Sequence, residues 1–247
     1  MISIYCTMLQ EWINMYDWIY GYHAVKNFIT YKSFEIKEVV MLDQNQSIID
    51  LCCETGVTCN QASEKFFSKL PKGHQGIACF CKVDTSRGDL KDYIAKDQGD
   101  LVVMLDGVSD PQNLGSCIRS ILALGADALI VPKHNSAKVT PITHKVSVGG
   151  ASLLPVFSVQ NFNQTLDFLK QKQFWIYGAC ERSDKMIEEV ERSKRSVIVL
   201  GSEGQGIRQS TRKYIDYFYK IRTNKNFPSL NVAMACTISV QYFSNKT

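Results

Sequence analysis

The chain has 247 residues, of which 45% are hydrophobic and 21% charged, and its net charge of +4 is mild. This composition is that of a soluble globular protein with one large domain or two of ordinary size. No stretch reaches the roughly 18 apolar residues of a membrane span, so we expect no membrane partner. The nine cysteines contain no C-x-x-C pair, which argues against a zinc site and predicts reduced thiols in a cytoplasmic protein.

The excess of basic residues lies in the second half of the chain, from residue 100 onwards. The first 99 residues carry slightly more acidic than basic side chains. A basic second half suits a polyanion such as RNA, although a solvated basic face is the commoner explanation of such a pattern.

The first half of the chain predicts a small α/β domain at residues 18–83, preceded by an N-terminal extension at residues 1–17. Residues 84–99 are polar and charged, which predicts a linker with a single helix at about 89–96. Within the domain, strands are predicted at 36–42, at Val57 and at the end of the glycine-punctuated stretch 73–80, and helices at 24–30, 48–54 and 60–68.

The second half, residues 100–247, alternates strands with helices, which predicts a mainly parallel sheet covered on both faces. Residues 101–105 form a continuous apolar run, as in a buried parallel strand. Further strands are predicted at 128–132, 155–159, 174–179, 197–200 and 217–221, with helices at 114–124, 140–149, 162–171, 185–191, 209–214 and from about 231.

The first stretch that can carry chemistry follows the buried strand at 101–105. Asp110 and Pro111 are suited to the cap and first residue of a helix. Arg119 is expected to lie over Gly115 and to reach toward Asn113, at the carboxyl end of a strand, where ligands bind in open α/β sheets. A guanidinium fork there suits a phosphate. A surface arginine on an amphipathic helix explains the segment equally well.

The second stretch is a glycine-rich loop at 200–206, Leu-Gly-Ser-Glu-Gly-Gln-Gly, after a buried strand. Its bare backbone groups can bond a cofactor, but its spacing is neither the dinucleotide fingerprint nor a P-loop. Glu203 is either a carboxylate of the site or a loop residue paired with a neighbouring cation.

The third stretch lies at 228–238, where a polar turn opens into an apolar helix rich in alanine. Either Ser229 or Asn231 can cap this helix by accepting a bond from a free backbone N–H. Ala233 and Ala235 are too small to fill a core alone, which favours the close approach of another backbone or a ligand. The three stretches together predict one site built from distant parts of the chain, although capping and packing alone also explain the third.

Three segments of the chain, 113–119, 200–206 and 229–233, resemble the three motifs of the SpoU (TrmH-type) RNA ribose 2′-O-methyltransferases. They read Asn-x-Gly-x-x-x-Arg, Leu-Gly-Ser-Glu-Gly-x-Gly and Ser-Leu-Asn-Val-Ala. The first half is similar to the small substrate-binding domain of this family through residues 20–25 and 74–77. The two-domain layout is most similar to the family members that modify guanosine in 23S rRNA.

This resemblance implies an α/β trefoil-knot domain with a mainly parallel sheet beside the small N-terminal α/β domain. It also implies a homodimer, an RNA substrate and bound S-adenosylmethionine lined by Gly201, Ile221 and Leu230. Two positions depart from the family pattern: Ala233 stands where serine is frequent, and Arg222 lies in a segment that is commonly Ile-Pro-Met.

The implied reaction is methyl transfer to the ribose 2′-hydroxyl of a guanosine in 23S rRNA. Arg119 is expected either to bind the adjacent phosphate and lower the pKa of the hydroxyl or to act as a base. The side chains expected to orient the ribose and Arg119 are Asn113, Glu203, Ser229 and Asn231.

Three alternatives remain at this stage. A tRNA ribose methyltransferase shares the same motifs. A non-catalytic RNA-binding or ribosome-assembly protein could use the same scaffold, although Asn113, Arg119 and Glu203 argue against it. A nucleotide-dependent oxidoreductase is disfavoured because no dinucleotide fingerprint follows the first strand of the parallel sheet. The four histidines show no metal spacing, so no metal is expected.

Overall fold

A computed structural model describes residues 16–32, 35–83, 88–96, 99–224, 226 and 229–244. The chain divides into two compact units, each with its own sheet. The first unit comprises Met1–Thr85 and Val139–Leu153, and the second comprises Ser86–Lys138 and Leu154–Thr247. Most of the predicted extension at 1–17 lies outside the described residues.

The first unit contains a four-stranded mixed sheet in the order β1-β4-β2-β3. β4 pairs antiparallel with both β1 and β2, and β3 pairs parallel with β2. The sheet packs on two helices through a core that includes Ile19, Phe28, Val39 and Ile48. Its elements are β1 (Tyr16–Tyr20), α1 (Tyr22–Lys32), β2 (Ile36–Met41), α2 (Gln46–Thr55), β3 (Cys59–Gln61), α3 (Glu64–Phe67) and β4 (Ile77–Lys82).

A segment from the middle of the chain also belongs to the first unit. It contains α6 (Pro141–Val146) and a 3-10 turn (Gly150–Ser152). The Asn27 side chain donates to the Val148 carbonyl at 2.7 Å, and the Phe28 ring lies 5.6 Å from the His144 ring. The predicted domains, 18–83 and 100–247 with a linker at 84–99, are each continuous in the sequence. In the structure, Val139–Leu153 belongs to the first unit instead of the second, because this segment packs on α1.

His144 is fully buried in this segment, and burial lowers its pKa to about 4. Its pKa in the unfolded chain is about 6.5, so the unfolded state binds the proton more tightly. We therefore expect the free energy of unfolding to fall as the pH drops from about 6.5 to about 4, by roughly 3 kcal/mol in total. Urea unfolding across this pH range measures the change. The His144→Leu variant should lose this part of the pH dependence, and an unchanged slope would contradict the assignment.

The second unit contains a six-stranded sheet in the order β10-β8-β9-β5-β6-β7, in which every neighbouring pair is parallel. β5 and β9 lie at its centre and are almost entirely buried. Its elements are α4 (Leu90–Ala95), β5 (Leu101–Asp106), α5 (Pro111–Ala123), β6 (Ala128–Pro132), β7 (Val156–Val159), α7 (Phe162–Gln171), β8 (Trp175–Ala179), a 3-10 turn (Ile187–Glu189), β9 (Ser196–Gly201), α8 (Gln209–Arg212), β10 (Tyr217–Tyr219) and α9 (Val232–Ser244).

The helix predicted at 89–96 is present as α4, and it packs in the core of the second unit through Leu90 and Ile94. The prediction of a helix at 185–191 is wrong. The chain there forms only a short 3-10 turn, because Ile187 N donates to the Lys220 carbonyl and Lys220 N donates to the Lys185 carbonyl, both at 2.9 Å. These bonds take the backbone away from a helical pattern.

The helix predicted at 60–68 is correct only in its second half, as α3. Residues 59–61 instead form β3, in register with β2 through the pair Val39 and Cys59. Val57, predicted as a strand, precedes it. The helix predicted at 140–149 stops at Val146 because Val148 and Gly149 adopt positive φ values of 57° and 82°.

Among the described residues, no helix combines the length and apolar character needed to cross a bilayer.

Candidate active site

The candidate site lies where β5 and β9 end. These neighbouring parallel strands are in register up to their last residues, Asp106 and Gly201, so the segments that follow them emerge side by side. After β5 the chain enters α5, whose cap is Asp110: its side chain accepts a bond from Gln112 N at 2.9 Å. Asn113 therefore lies in the first turn of α5, as predicted from the sequence.

Three side chains from the three distant stretches form one hydrogen-bonded set, which we call the amide–carboxylate triad: Asn113, Glu203 and Asn231. Asn113 Nδ2 donates to Glu203 Oε1 at 3.0 Å, and Asn231 Nδ2 donates to the same oxygen at 2.7 Å. Asn231 Nδ2 also donates to Asn113 Oδ1 at 3.0 Å. The convergence of the three stretches expected from the sequence is thus present in the structure.

The cap of α9 fixes the orientation of Asn231. Its Oδ1 accepts from Ala233 N at 2.8 Å, so Asn231 is the capping residue of the two that the sequence left open. With the oxygen held by the helix, the amide nitrogen must face Glu203 and Asn113, and both of its protons are used. A residue that caps a helix and bonds a site carboxylate links the backbone of α9 directly to the site.

The carboxylate of Glu203 is exposed, and its two oxygens differ. Oε1 accepts the hydrogen bonds from both asparagine side chains, whereas no described residue forms a hydrogen bond with Oε2. Oε2 is therefore available to accept a hydrogen bond from a hydroxyl of a bound ligand, while the other oxygen holds the carboxylate in place.

The structure does not bring Arg119 or Ser229 into the triad. Arg119 is exposed on α5, six residues after Asn113, and Ser229 is exposed two residues before Asn231. Within the described ranges, neither side chain makes a hydrogen bond or an ion pair. The Arg119 guanidinium is therefore exposed and not engaged by any described residue.

The glycine-rich loop closes on itself at the end of β9. Ser202 N donates to the Gly206 carbonyl at 3.2 Å, and Gly206 N donates back to the Ser202 carbonyl at 2.9 Å. The closure requires glycine at 201, because a Cβ there would lie 1.9 Å from the carbonyl carbon of Gly206. Glu203 thus lies on a tight loop that two backbone hydrogen bonds close.

The other two residues expected to line a cofactor lie beyond β10 and before α9. Ile221 is half-buried, two residues after β10, and Leu230 is 38% exposed. Within the described residues, the backbone N–H and C=O of Ile221 are not bonded to another backbone group. The described residues also contain no group of three or more His, Cys, Asp or Glu side chains placed to hold a metal ion.

Sequence reasoning missed two residues near the site, Asp106 and Arg208. Asp106 is fully buried at the end of β5, and its Oδ2 accepts from Arg208 N at 3.0 Å. Arg208 Nε lies 3.4 Å from Asp106 Oδ1. The available signal was an acidic residue at the end of a fully apolar strand, where a charge is costly without a partner.

Two family models match the chain. The SpoU rRNA Methylase family model matches residues 100–241, and a model described as RNA 2′-O ribose methyltransferase substrate binding matches residues 18–85. The first match covers more than half of the chain. The chain belongs to the SpoU rRNA methylase family.

Relatives of known activity match along most of this SpoU chain. The 23S rRNA (guanosine-2′-O-)-methyltransferase RlmB of Pseudomonas syringae is 32% identical over 226 residues, covering 88% of this chain and 90% of that protein. RlmB of Escherichia coli K12 is 33% identical over 233 residues, covering 91% of this chain and 96% of that protein.

The fold of this SpoU chain is also that of a solved family member. The crystal structure of the SpoU methyltransferase AviRb from Streptomyces viridochromogenes, in complex with AdoMet, matches with a TM-score of 0.77 at 20% identity. The match covers 94% of this chain and 90% of AviRb. The predicted fold class, a mainly parallel trefoil-knot domain with a small N-terminal α/β domain, is confirmed.

Proposed function

We propose that the protein transfers a methyl group from S-adenosylmethionine to the ribose 2′-hydroxyl of a guanosine in 23S rRNA. The observation that carries the proposal is the amide–carboxylate triad, which joins all three SpoU motifs at the carboxyl end of the parallel sheet. The relatives at 32% and 33% identity that are named for this reaction match along nearly the whole chain.

The residues present fit S-adenosylmethionine. The cofactor pairs an adenine ring, which needs apolar contact and backbone hydrogen bonds, with a charged sulfonium that supplies an electrophilic methyl group when bound. Leu230 offers exposed apolar surface, and Ile221 offers backbone groups that no other described backbone group occupies. Gly201 lacks the side chain that would otherwise fill the turn. We assign these three residues to cofactor binding.

Glu203 and the two asparagines orient the ribose in this proposal. Glu203 Oε2 accepts a hydrogen bond from a ribose hydroxyl. The two hydrogen bonds that the asparagines donate to Oε1 keep the carboxylate from rotating away from the ribose. Ser229, exposed two residues before Asn231, donates to or accepts from the sugar in this proposal. Holding the 2′-oxygen in line with the methyl group lowers the barrier by positioning alone.

Arg119 supplies the charge that the triad lacks. The 2′-hydroxyl becomes a nucleophile as its proton leaves, and negative charge then develops on the oxygen. An arginine stays protonated at neutral pH, so its role is to bind the phosphate next to the target ribose and to stabilise that oxygen. Bound S-adenosylmethionine would supply the methyl group and leave as S-adenosylhomocysteine, and the hydroxyl proton would go to solvent.

RNA is the partner of both units in this proposal, and the reaction takes place in the cytoplasm. Residues 18–85 match the substrate-binding model, which supports an RNA-contacting role for the first unit. The eight cysteines in the described part of the chain are free thiols, which suits a reducing compartment. An unpaired or looped nucleotide is the favoured target because its ribose must be reachable.

The protein is proposed to act as a homodimer through α5 and α9. Met234 and Ile238, four residues apart on one face of α9, are 55% and 39% exposed. Leu122 on α5 is 37% exposed, and the two helices are bonded through Ser120 and Thr237 at 2.7 Å. Large apolar side chains grouped on two packed helices are suited to burial by a second copy of the same face.

A charge on this face should separate the subunits. Ile238→Arg is expected to place an unpaired guanidinium in the apolar contact and to convert the dimer to a monomer of half the mass. Light scattering after size-exclusion chromatography measures the mass. Tyr31→Arg, at a side chain that is 58% exposed in the first unit, is the matched control and should leave the dimer intact. A wild-type protein that is monomeric at micromolar concentration would contradict the dimer.

The reaction itself is tested with purified protein, labelled S-adenosylmethionine and separate 23S rRNA and tRNA substrates. We expect one 2′-O-methylguanosine in 23S rRNA, mapped by mass spectrometry of nuclease fragments. Methylation of tRNA alone would show that the protein is a tRNA ribose methyltransferase. Binding of RNA without any methyl transfer would favour the assembly-protein alternative.

A further inference from the structure

Asp106 lies before the first motif and Arg208 follows the second, and the two residues are in contact. The proposed mechanism gives neither of them a role. Asp106 Oδ2 accepts from Arg208 N at 3.0 Å, and Arg208 Nε lies 3.4 Å from Asp106 Oδ1. The Asp106 side chain is 0% exposed and that of Arg208 is 39% exposed. In the described part of the chain, Oδ1 accepts no hydrogen bond, so its charge is balanced by the nearby guanidinium rather than by direct bonds.

The local backbone is shaped to admit this guanidinium. Gly107 follows Asp106 with a φ of 86°, and a Cβ on it would lie 2.8 Å from Arg208 Nη2. A residue with a side chain at 107 would therefore push the arginine away from the carboxylate. A buried charge without its partner is strongly unfavourable, so the ion pair depends on glycine at position 107.

The loop that carries Glu203 is attached to Asp106 at both ends. Gly201, where the loop begins, pairs with Asp106 in the register of β9 and β5. Arg208, where the loop ends, bonds the Asp106 side chain. Asp106 is also the residue from which the chain leaves β5 toward Asn113. One residue, Asp106, thus contacts both ends of the loop that carries Glu203 and stands at the start of the segment that leads to Asn113.

We propose that the Asp106–Arg208 ion pair is a positioning element that holds Glu203 against Asn113 and Asn231 for methyl transfer. The inference rests on the proposed function, since it assigns the pair a part in that reaction. Neither residue touches the substrate in this proposal, and both act through the placement of Glu203.

Arg208→Gln should lower kcat for methyl transfer about 30-fold, because Asp106, left without its guanidinium, is driven toward solvent and gives up the bond from the backbone N of residue 208 that holds the end of the loop. The KM for RNA should change less than about threefold, since no RNA contact is removed. Asp106→Asn combined with Arg208→Gln leaves a neutral pair, and this double variant should be about tenfold faster than Arg208→Gln alone. Arg208→Lys keeps the charge and should fall between wild type and Arg208→Gln.

The side-chain amide signals of Asn113 and Asn231 in 15N NMR spectra provide a readout independent of activity. They should shift in Arg208→Gln and return toward their wild-type positions in the double variant. Lys213→Gln, which removes an exposed cation five residues further along, is the matched control and should change neither rate nor amide signals.

Three results would overturn the inference: a wild-type kcat in Arg208→Gln, a loss confined to the KM for RNA, or a double variant no better than the single one in both rate and amide signals. Failure of the proposed function looks different. It would appear as a wild-type protein that methylates no RNA, while the amide signals of the variants still report whether the pair positions the triad.

Discussion

Arg119→Ala should reduce methyl transfer by about 10³-fold, the loss expected when one preorganised donor to a developing oxyanion is removed. The expectation follows from the site, whose triad contains one carboxylate and two amides but no cation. A carboxylate alone would oppose negative charge on the 2′-oxygen, so a cation must enter the site, and Arg119 is exposed and uncommitted in the described part of the chain.

The measurement is single-turnover methylation, with S-adenosylhomocysteine affinity determined by calorimetry. The affinity should stay within about twofold of wild type, because the assigned cofactor contacts lie elsewhere in the chain. Arg119→Lys keeps a positive charge and loses the bidentate fork, so it should retain part of the rate. Full activity in Arg119→Ala would remove Arg119 from the mechanism.

The pH–rate profile of Arg119→Lys separates the two roles that the sequence left open. A lysine loses its proton at lower pH than an arginine. If residue 119 acts as a base, the profile of the lysine variant should rise at lower pH than that of wild type. If residue 119 binds phosphate and stabilises the oxyanion, as proposed, the two profiles should rise together.

The convergence of Asn113 and Glu203 could be predicted from the sequence because it depends on two local facts, whereas Asn231, which directly follows no strand, is expected there from its polar turn and from the family resemblance. Buried apolar runs identify parallel strands, and the carboxyl ends of such strands meet at one edge of the sheet. The choice between Ser229 and Asn231 as the cap could not be predicted, because both types of residue cap helices well. In the structure it is settled by the bond from Ala233 N to Asn231 Oδ1, which leaves the amide nitrogen of Asn231 to donate to Glu203.

The sequence could not reveal interactions that depend on distant partners. Asp106, an acidic residue that ends an apolar strand, signals the need for a partner, but the sequence does not show that this partner is Arg208, far along the chain. The strand at Cys59–Gln61 has mostly exposed side chains and exists because its backbone pairs with β2. Likewise, residues 139–153 join the first unit through contacts with α1 that chain order does not suggest.

Gly201→Ala should cause the largest loss of cofactor affinity among single substitutions in the glycine-rich loop. Its Cβ would lie 1.9 Å from the carbonyl carbon of Gly206, 2.2 Å from the Gly206 oxygen and 2.2 Å from Ile207 N. All three are backbone atoms, so no side chain can rotate away and the loop itself must open. Relieving such an overlap costs about 3 kcal/mol or more, which corresponds to roughly 100-fold in affinity if the cofactor requires the closed loop.

Opening the loop would also carry Glu203 away from both asparagines, so methylation should fall below detection while S-adenosylhomocysteine binding weakens about 100-fold. Gly204→Ala is the matched control in the same loop: its φ of 83° disfavours alanine, but no atom lies within 4 Å of the added Cβ. That strain costs about 1–2 kcal/mol and displaces nothing. Calorimetry of S-adenosylhomocysteine binding to both variants separates the effect of steric overlap at residue 201 from that of backbone strain at residue 204. Equal affinities in the two would show that the closed loop is not what the cofactor binds, and Gly201 would then lose its assignment.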